Sequence, residues 1–222
     1  MGMHLYTYDD PPAERDVSRA VRVLTDSGVL SYPNDLNWAF GCDAASAKAL
    51  DRIYMLKPTH PRELPFSLLC SSISMAAEYA VIDNAAYRVL RKAWPGPFTV
   101  LLNATKQLPR QLKDKRRVVG IRIPTSNLLR TIIERFGQPI ATTSIPPIKL
   151  KSAMSSDPQP PRFGYEVFES YGHAIDLVLD LGAELPGLES TIIDLTSGHP
   201  EIVRLGAGDP SLFHAGTSPN RD

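Results

Sequence analysis

Two arginines sit where a guanidinium is costly. Arg122 lies between Ile121 and Ile123, and Arg204 between Val203 and Leu205, each inside a short apolar run. A buried cation needs an anion, so each marks an anion site, a carboxylate pair or the exposed side of a half-buried strand. The next apolar run after Arg122 ends in three hydroxyls, Thr142, Thr143 and Ser144, which could bind the same anion. Ser190 and Thr191 open another such run and could cap, pair or bind. Lys57 ends a helical stretch and enters a proline-rich segment; there an ammonium can reach a phosphate, or simply complement the helix dipole. Other chemistries lack their residues. No Gly-x-Gly-x-x-Gly, no Gly-x-x-x-x-Gly-Lys-Ser/Thr and no Gly-x-Ser-x-Gly is present. The five histidines are scattered and no Cys-x-x-Cys occurs, so nothing points to a structural zinc. Cys42 and Cys70 are isolated and read as small apolar core residues of a reducing compartment.

The elements that must position these groups alternate in period. Residues 117–144 read as strand, helix, strand: a β-branched run stopped by Pro124, then an N-cap at Ser126, then apolar Leu128, Leu129, Ile132, Ile133 and Phe136, and Gly137 as the C-cap. Upstream, the spacing predicts helices at 16–27, 44–56, 72–79 and 84–94, and strands at 29–33, 66–70 and 98–102. Residues 34–42 read as a loop of polar and aromatic side chains. Residues 94–97, Trp-Pro-Gly-Pro, form a rigid corner, and 106–116 a basic connection. The span 145–162 holds five prolines and is the least regular part, a functional loop, a lid or disorder. A short helix at 163–171 and strands at 175–181, 190–195 and 201–205 follow, with a frayed tail expected from 209 to 222. One mixed α/β domain over residues 1–208 is the simplest organisation.

Whole-chain charge says little, since Lys+Arg and Asp+Glu are 24 each. Its distribution says more: from Arg88 to Arg122 there are ten Lys/Arg against one acid, Asp114. That stretch either attracts phosphate or is a solvated face. The N-terminus carries Asp9, Asp10 and Glu14 and no apolar core, and no window suits a membrane helix, so a cytoplasmic protein without a signal peptide is expected.

Several stretches, in order, resemble the YrdC-like superfamily: GVLSYP at 28–33 with FGC at 40–42, IYMLK at 53–57, WPGPFT at 94–99, VGIRIP at 119–124, PIATTS at 139–144, ESTIID at 189–194 and IVRLG at 202–206. VIDNAAYR at 81–88, KQLPR at 106–110 and KRR at 115–117 are more similar to its YciO branch. The resemblance implies a twisted mixed sheet with flanking helices around a large basic cavity, in a YrdC/RibB-like fold. It implies threonylcarbamoyl-AMP synthesis for the modification of transfer RNA, from ATP, L-threonine and bicarbonate with Mg²⁺. Lys57, Ser144 and Arg204 match the ATP-phosphate positions, and Asn34, Arg122 and Ser190 the threonine positions.

Departures stand beside these matches. The family's Lys-x-Arg is Lys57-Pro58-Thr59, its Ser-x-Asn asparagine is Pro146, its Pro-Thr is Pro33-Asn34, and an expected histidine falls on Leu69. His60 and Arg62 are near enough in sequence to supply the missing cation. Losing one charged phosphate contact costs roughly 1.5–3 kcal/mol. A module that binds double-stranded RNA or transfer RNA without synthesis, and a hydrolase of acyl-adenylates, are therefore alternative outcomes. The chain stops near the end of the resembling region, as in the short form of the family.

Overall fold

The computed structural model describes residues 2–58, 60–61, 66–149 and 157–214. Ten strands form one mixed sheet: β1 (Met3–Tyr6), β2 (Val29–Asn34), β3 (Asn37–Asp43), β4 (Ser67–Leu69), β5 (Phe98–Asn103), β6 (Val118–Arg122), β7 (Ile140–Ser144), β8 (Leu177–Asp180), β9 (Thr191–Asp194) and β10 (Glu201–Arg204). Their order across the sheet is β1-β8-β2-β3-β7-β4-β6-β5-β9-β10. The helices are α1 (Glu14–Thr25), α2 (Ala47–Leu56), α3 (Ile73–Tyr79), α4 (Asn84–Ala93), α5 (Asn127–Phe136), α6 (Gly164–Tyr171) and α7 (Ser211–His214). This is the single-domain mixed α/β fold that the sequence pattern implied.

Local chemistry starts the helices where the sequence reading put them. The side chains of Ser46, Ser72, Asp83 and Ser126 each accept the backbone N–H three residues on, opening α2, α3, α4 and α5. Gly137 ends α5 in the left-handed region, φ +80°.

Side chains that alternate along the strands split into two cores. One face meets α2, α4 and α6 through Trp38, Phe40, Val100, Ile121, Ile53, Leu90 and Val167. The other meets α1 and α5 through Tyr32, Ala39, Leu69, Ile140, Leu24, Leu128 and Ile132. Further along the same face polar side chains stand among apolar ones such as Leu101 and Ile192.

Two expectations are corrected. Residues 34–42 are not a loop: β2 and β3 form an antiparallel hairpin, Asn34 opposite Asn37, turned at Asp35 with φ +60°. Trp38, Phe40 and Cys42 all enter the same core, the period-2 signal that the polar residues around them masked. The expected tail is also too long, because Ser211–His214 is helical and Phe213, 3% exposed, packs 5.3 Å from the Phe98 ring. Residues 215–222 lie outside the described residues. β1 was not expected at all; it pairs in parallel with β8, Met3 opposite Leu177.

Candidate functional site

Residues opposite one another in a ladder share a sheet face. Ser144 lies opposite Ala39, Arg122 opposite Leu69, and Arg204 opposite Ile192, which is itself opposite Thr99. Asn34 lies two residues from Tyr32 on the same face. The register therefore collects Asn34, Ser144, Arg122, Thr99 and Arg204, from five strands, on the face that carries α1 and α5. The glycines of β6 and β3 sit within this band; a Cβ on Gly120 would lie 2.8 Å from Ser67 Oγ, and one on Gly41 2.6 Å from the Tyr32 ring.

The band is curled. On a flat sheet β3 and β6 would be three interstrand spacings apart, about 14 Å. Yet Arg122 Nη2 donates to Asp35 Oδ2 at 2.9 Å and to the Asn34 carbonyl at 3.1 Å, so the β2–β3 turn bends over the end of β6. The carbonyl of Leu36, in the same turn, accepts the N–H groups of Gly187 and Leu188, at 2.9 and 3.2 Å, from the segment leading into β9. Arg122 is 4% exposed and Asn34 5%. Among the described residues, Arg122 Nε and Asn34 Oδ1 are buried without a hydrogen-bond partner. A buried donor and a buried acceptor left unmatched on one polar band are what a ligand with both characters would satisfy.

The second cation group lies at the other end of the band. Arg204 donates from Nε and Nη2 to the Ser190 carbonyl, at 3.1 and 2.9 Å, and from Nη2 to Ser190 Oγ at 3.2 Å. Its Nη1 pairs with Glu189 Oε2 at 2.8 Å. Ser190 Oγ is also 3.0 Å from Thr99 Oγ1. Lys57 reaches round the end of β7, donating to Thr143 Oγ1 at 2.9 Å and to the Ser144 carbonyl at 3.0 Å. Among the described residues no carboxylate bonds to it. Burial holds the Lys57 ammonium below the usual lysine value; the nearby Glu189 pushes it up and Arg204 pushes it down. Lys57, Glu189 and Arg204 thus sense one another although β7 and β9 are four places apart in the sheet. Curling again explains this.

The six expected binding residues are therefore tied together by register or direct contact: Asn34, Arg122, Ser144, Ser190 and Arg204, with Lys57 joining from the end of α2. Both guanidiniums carry an acid partner, Asp35 and Glu189, and neither acid was singled out from sequence. An acid in a polar loop gives no signal until its partner is known. The compensating cations were expected at His60 and Arg62. His60 stacks on the Phe66 ring at 4.8 Å, with the Tyr54 ring 5.8 Å away; Arg62 and Thr59 lie outside the described residues. A cavity of about 660 Å³ lies elsewhere, between α4, the β9–β10 turn and α7.

A family model described as telomere recombination, covering Sua5, YciO and YrdC, matches residues 22–206. The Escherichia coli protein YciO, itself uncharacterized, is 32% identical over 218 residues, 96% of this chain and all of that one. A threonylcarbamoyl-AMP synthase of Psychromonas ingrahamii is 29% identical over 146 residues, 64% of this chain and 76% of that protein. The crystal structure of E. coli YciO superposes with a TM-score of 0.84 at 30% identity, over 96% of this chain and 100% of that one. P. abyssi Sua5 complexed with L-threonine superposes with a TM-score of 0.78 at 25% identity, over 92% of this chain and 57% of that one.

Proposed function

The chain belongs to the Sua5–YciO–YrdC family, and from that premise we propose that it binds ATP and L-threonine on the curled polar band and forms a threonylcarbamoyl adenylate. The observation that carries the reading is Arg122: a guanidinium 4% exposed, anchored at Nη2, with its Nε–H unmatched among the described residues, as is Asn34 Oδ1. An amino acid supplies a carboxylate for the first and a hydrogen-bond donor for the second. Lys57, Ser144 and Arg204 take the nucleotide phosphates, and Ser190 faces the threonine. The likeness to a Sua5 structure holding L-threonine supports this assignment.

In this chemistry the threonine amine and bicarbonate give a carbamate and water. A carbamate oxygen attacks the α-phosphorus, and the bond to the β-phosphate breaks to release pyrophosphate. The chain's contribution is positioning and charge: Arg122 orients the amino acid, and Lys57 and Arg204 offset negative charge on the phosphates. Mg²⁺ would arrive on the nucleotide, since no group of three His, Cys, Asp or Glu gathers among the described residues.

Pyrophosphate release dependent on ATP, L-threonine and bicarbonate, with Mg²⁺ present, tests the reading. Release is expected in the wild type and at least tenfold less in Arg122→Ala. Wild-type protein that neither releases pyrophosphate nor binds L-threonine in a calorimetric titration overturns it. A second reading has its own observation. Arg88, Arg91, Lys92, Lys106, Arg110, Lys113, Lys115, Arg116 and Arg117 are all exposed, a surface suited to double-stranded RNA or transfer RNA.

A further inference from the structure

We infer that Asp35 is a positioning residue: it holds one corner of the Arg122 guanidinium so that the Nε edge is offered to a carboxylate ligand. The identity of that ligand rests on the reading above; the hold on Arg122 does not. Three residues donate to this one side chain. Arg122 Nη2 reaches Oδ2 at 2.9 Å, Thr125 Oγ1 reaches Oδ1 at 2.6 Å, and the Thr125 N–H lies 3.2 Å from Oδ1. The Ser126 N–H adds a longer contact to Oδ1 at 3.4 Å. A carboxylate is an acceptor on both oxygens and can serve all of them. An amide cannot: its NH₂ would meet either the Arg122 Nη2–H or the Thr125 backbone N–H, donor against donor.

The chain places Asp35 with care. It occupies the turn of the β2–β3 hairpin at φ +60°, a left-handed backbone that aspartate tolerates better than most residues. Its side chain is 11% exposed and that of Arg122 5%, so the pair is little screened by water. Nη2 is used twice, by Asp35 and by the Asn34 carbonyl, which stops the planar fork from swinging. Among the described residues Nε has no partner. The rival role for Asp35 is a competing anion that a ligand must displace. The two roles differ in sign. Removing a competitor tightens ligand binding, whereas removing a support weakens it.

L-Threonine is titrated calorimetrically, in the presence of ATP, into the full-length wild type, Asp35→Asn and Thr125→Val. Asp35→Asn is expected to raise the L-threonine Kd about tenfold while the ATP Kd stays within about twofold. Thr125→Val loses a contact on the far side of Asp35 and is expected to lower the Tm yet leave the L-threonine Kd within about twofold. A purely structural role would move both variants together. Asp35→Gly suits the left-handed turn and removes the carboxylate; it replaces Asp35→Asn if that protein does not fold, with the same rise expected. An unchanged or tighter L-threonine Kd in these Asp35 variants overturns the inference, as does an equal rise in Thr125→Val. If the wild type binds no L-threonine, the functional reading fails and the hold is read directly. Arg122 Nε–H exchange with solvent, in nitrogen-15 arginine-labelled protein, is then faster in Asp35→Asn, or unchanged if the inference is wrong.

Discussion

A half-buried lysine hydrogen-bonded to a hydroxyl and a carbonyl, but to no described carboxylate, is poised to lose its proton early. Burial is the leading cause that sets Lys57 below the ordinary lysine value of 10.5, with Glu189 opposing and Arg204 adding to it. Between that depressed value and 10.5 the unfolded chain binds the proton and the folded one does not. Stability contributed by this group therefore rises with pH through that window, and the cost of burying the ammonium is felt in full below it. Nucleotide binding has the opposite slope, because a phosphate needs the ammonium. ATP affinity of the wild type is expected to fall as pH rises from neutral to about pH 10, and that of Lys57→Arg, whose guanidinium stays charged, to stay flat over the same range. Calorimetric ATP titrations across that range check it; parallel profiles would show that Lys57 does not face the phosphates. At this scale residue type alone marked Lys57, Arg122, Ser190 and Arg204. It could not mark Asp35 or Glu189, because an acid in a loop is ordinary until the fold brings a guanidinium to it.

The helix that follows Arg122 is α5, and its first turn is capped twice. Ser126 Oγ accepts the Leu129 N–H at 3.2 Å and donates to Asp9 Oδ1, while Asp9 accepts the N–H groups of Asn127 and Leu128 at 3.2 and 3.3 Å. Ser126→Ala removes the cap and leaves Asp9 one donor short. The expected loss is about 1–2 kcal/mol, seen as a lower urea midpoint with an unchanged slope. An unmoved midpoint would mean that Asp9 alone satisfies the turn. This helix was legible end to end, because Ser126, the apolar spacing and Gly137 are local signals. β3 was not, since Asn34, Asp35 and Asn37 read as loop and the tryptophan and phenylalanine after them read as a patch. β1 was missed for a related reason: four residues next to a terminus show no period, and they become a strand only by pairing with β8, more than 170 residues away.

Across the whole molecule, two charged surfaces end up on opposite faces of one sheet. α4, which carries Arg88, Arg91 and Lys92, packs through Leu90 and Ala93 on the core of Trp38 and Phe40. The polar band with Arg122 and Arg204 belongs to the face of Tyr32 and Leu69. Clustering of positive charge was legible in the sequence; its separation from the band was not, because it depends on strand order and on which face each helix covers. That separation makes the two functional readings independently testable. Backbone contacts to a duplex release counterions, each neutralised phosphate adding about 0.9 to the slope of log K against log salt. If α4 meets RNA, reversing Arg88, Arg91 and Lys92 to glutamate should flatten the salt dependence of double-stranded RNA binding by up to about 3 in slope. L-Threonine affinity should remain within about twofold, since no residue of α4 faces the band. Binding that is insensitive to salt removes the RNA reading. Loss of L-threonine affinity in the same variant would mean that the sheet transmits charge between its faces, contrary to the separation of the two cores.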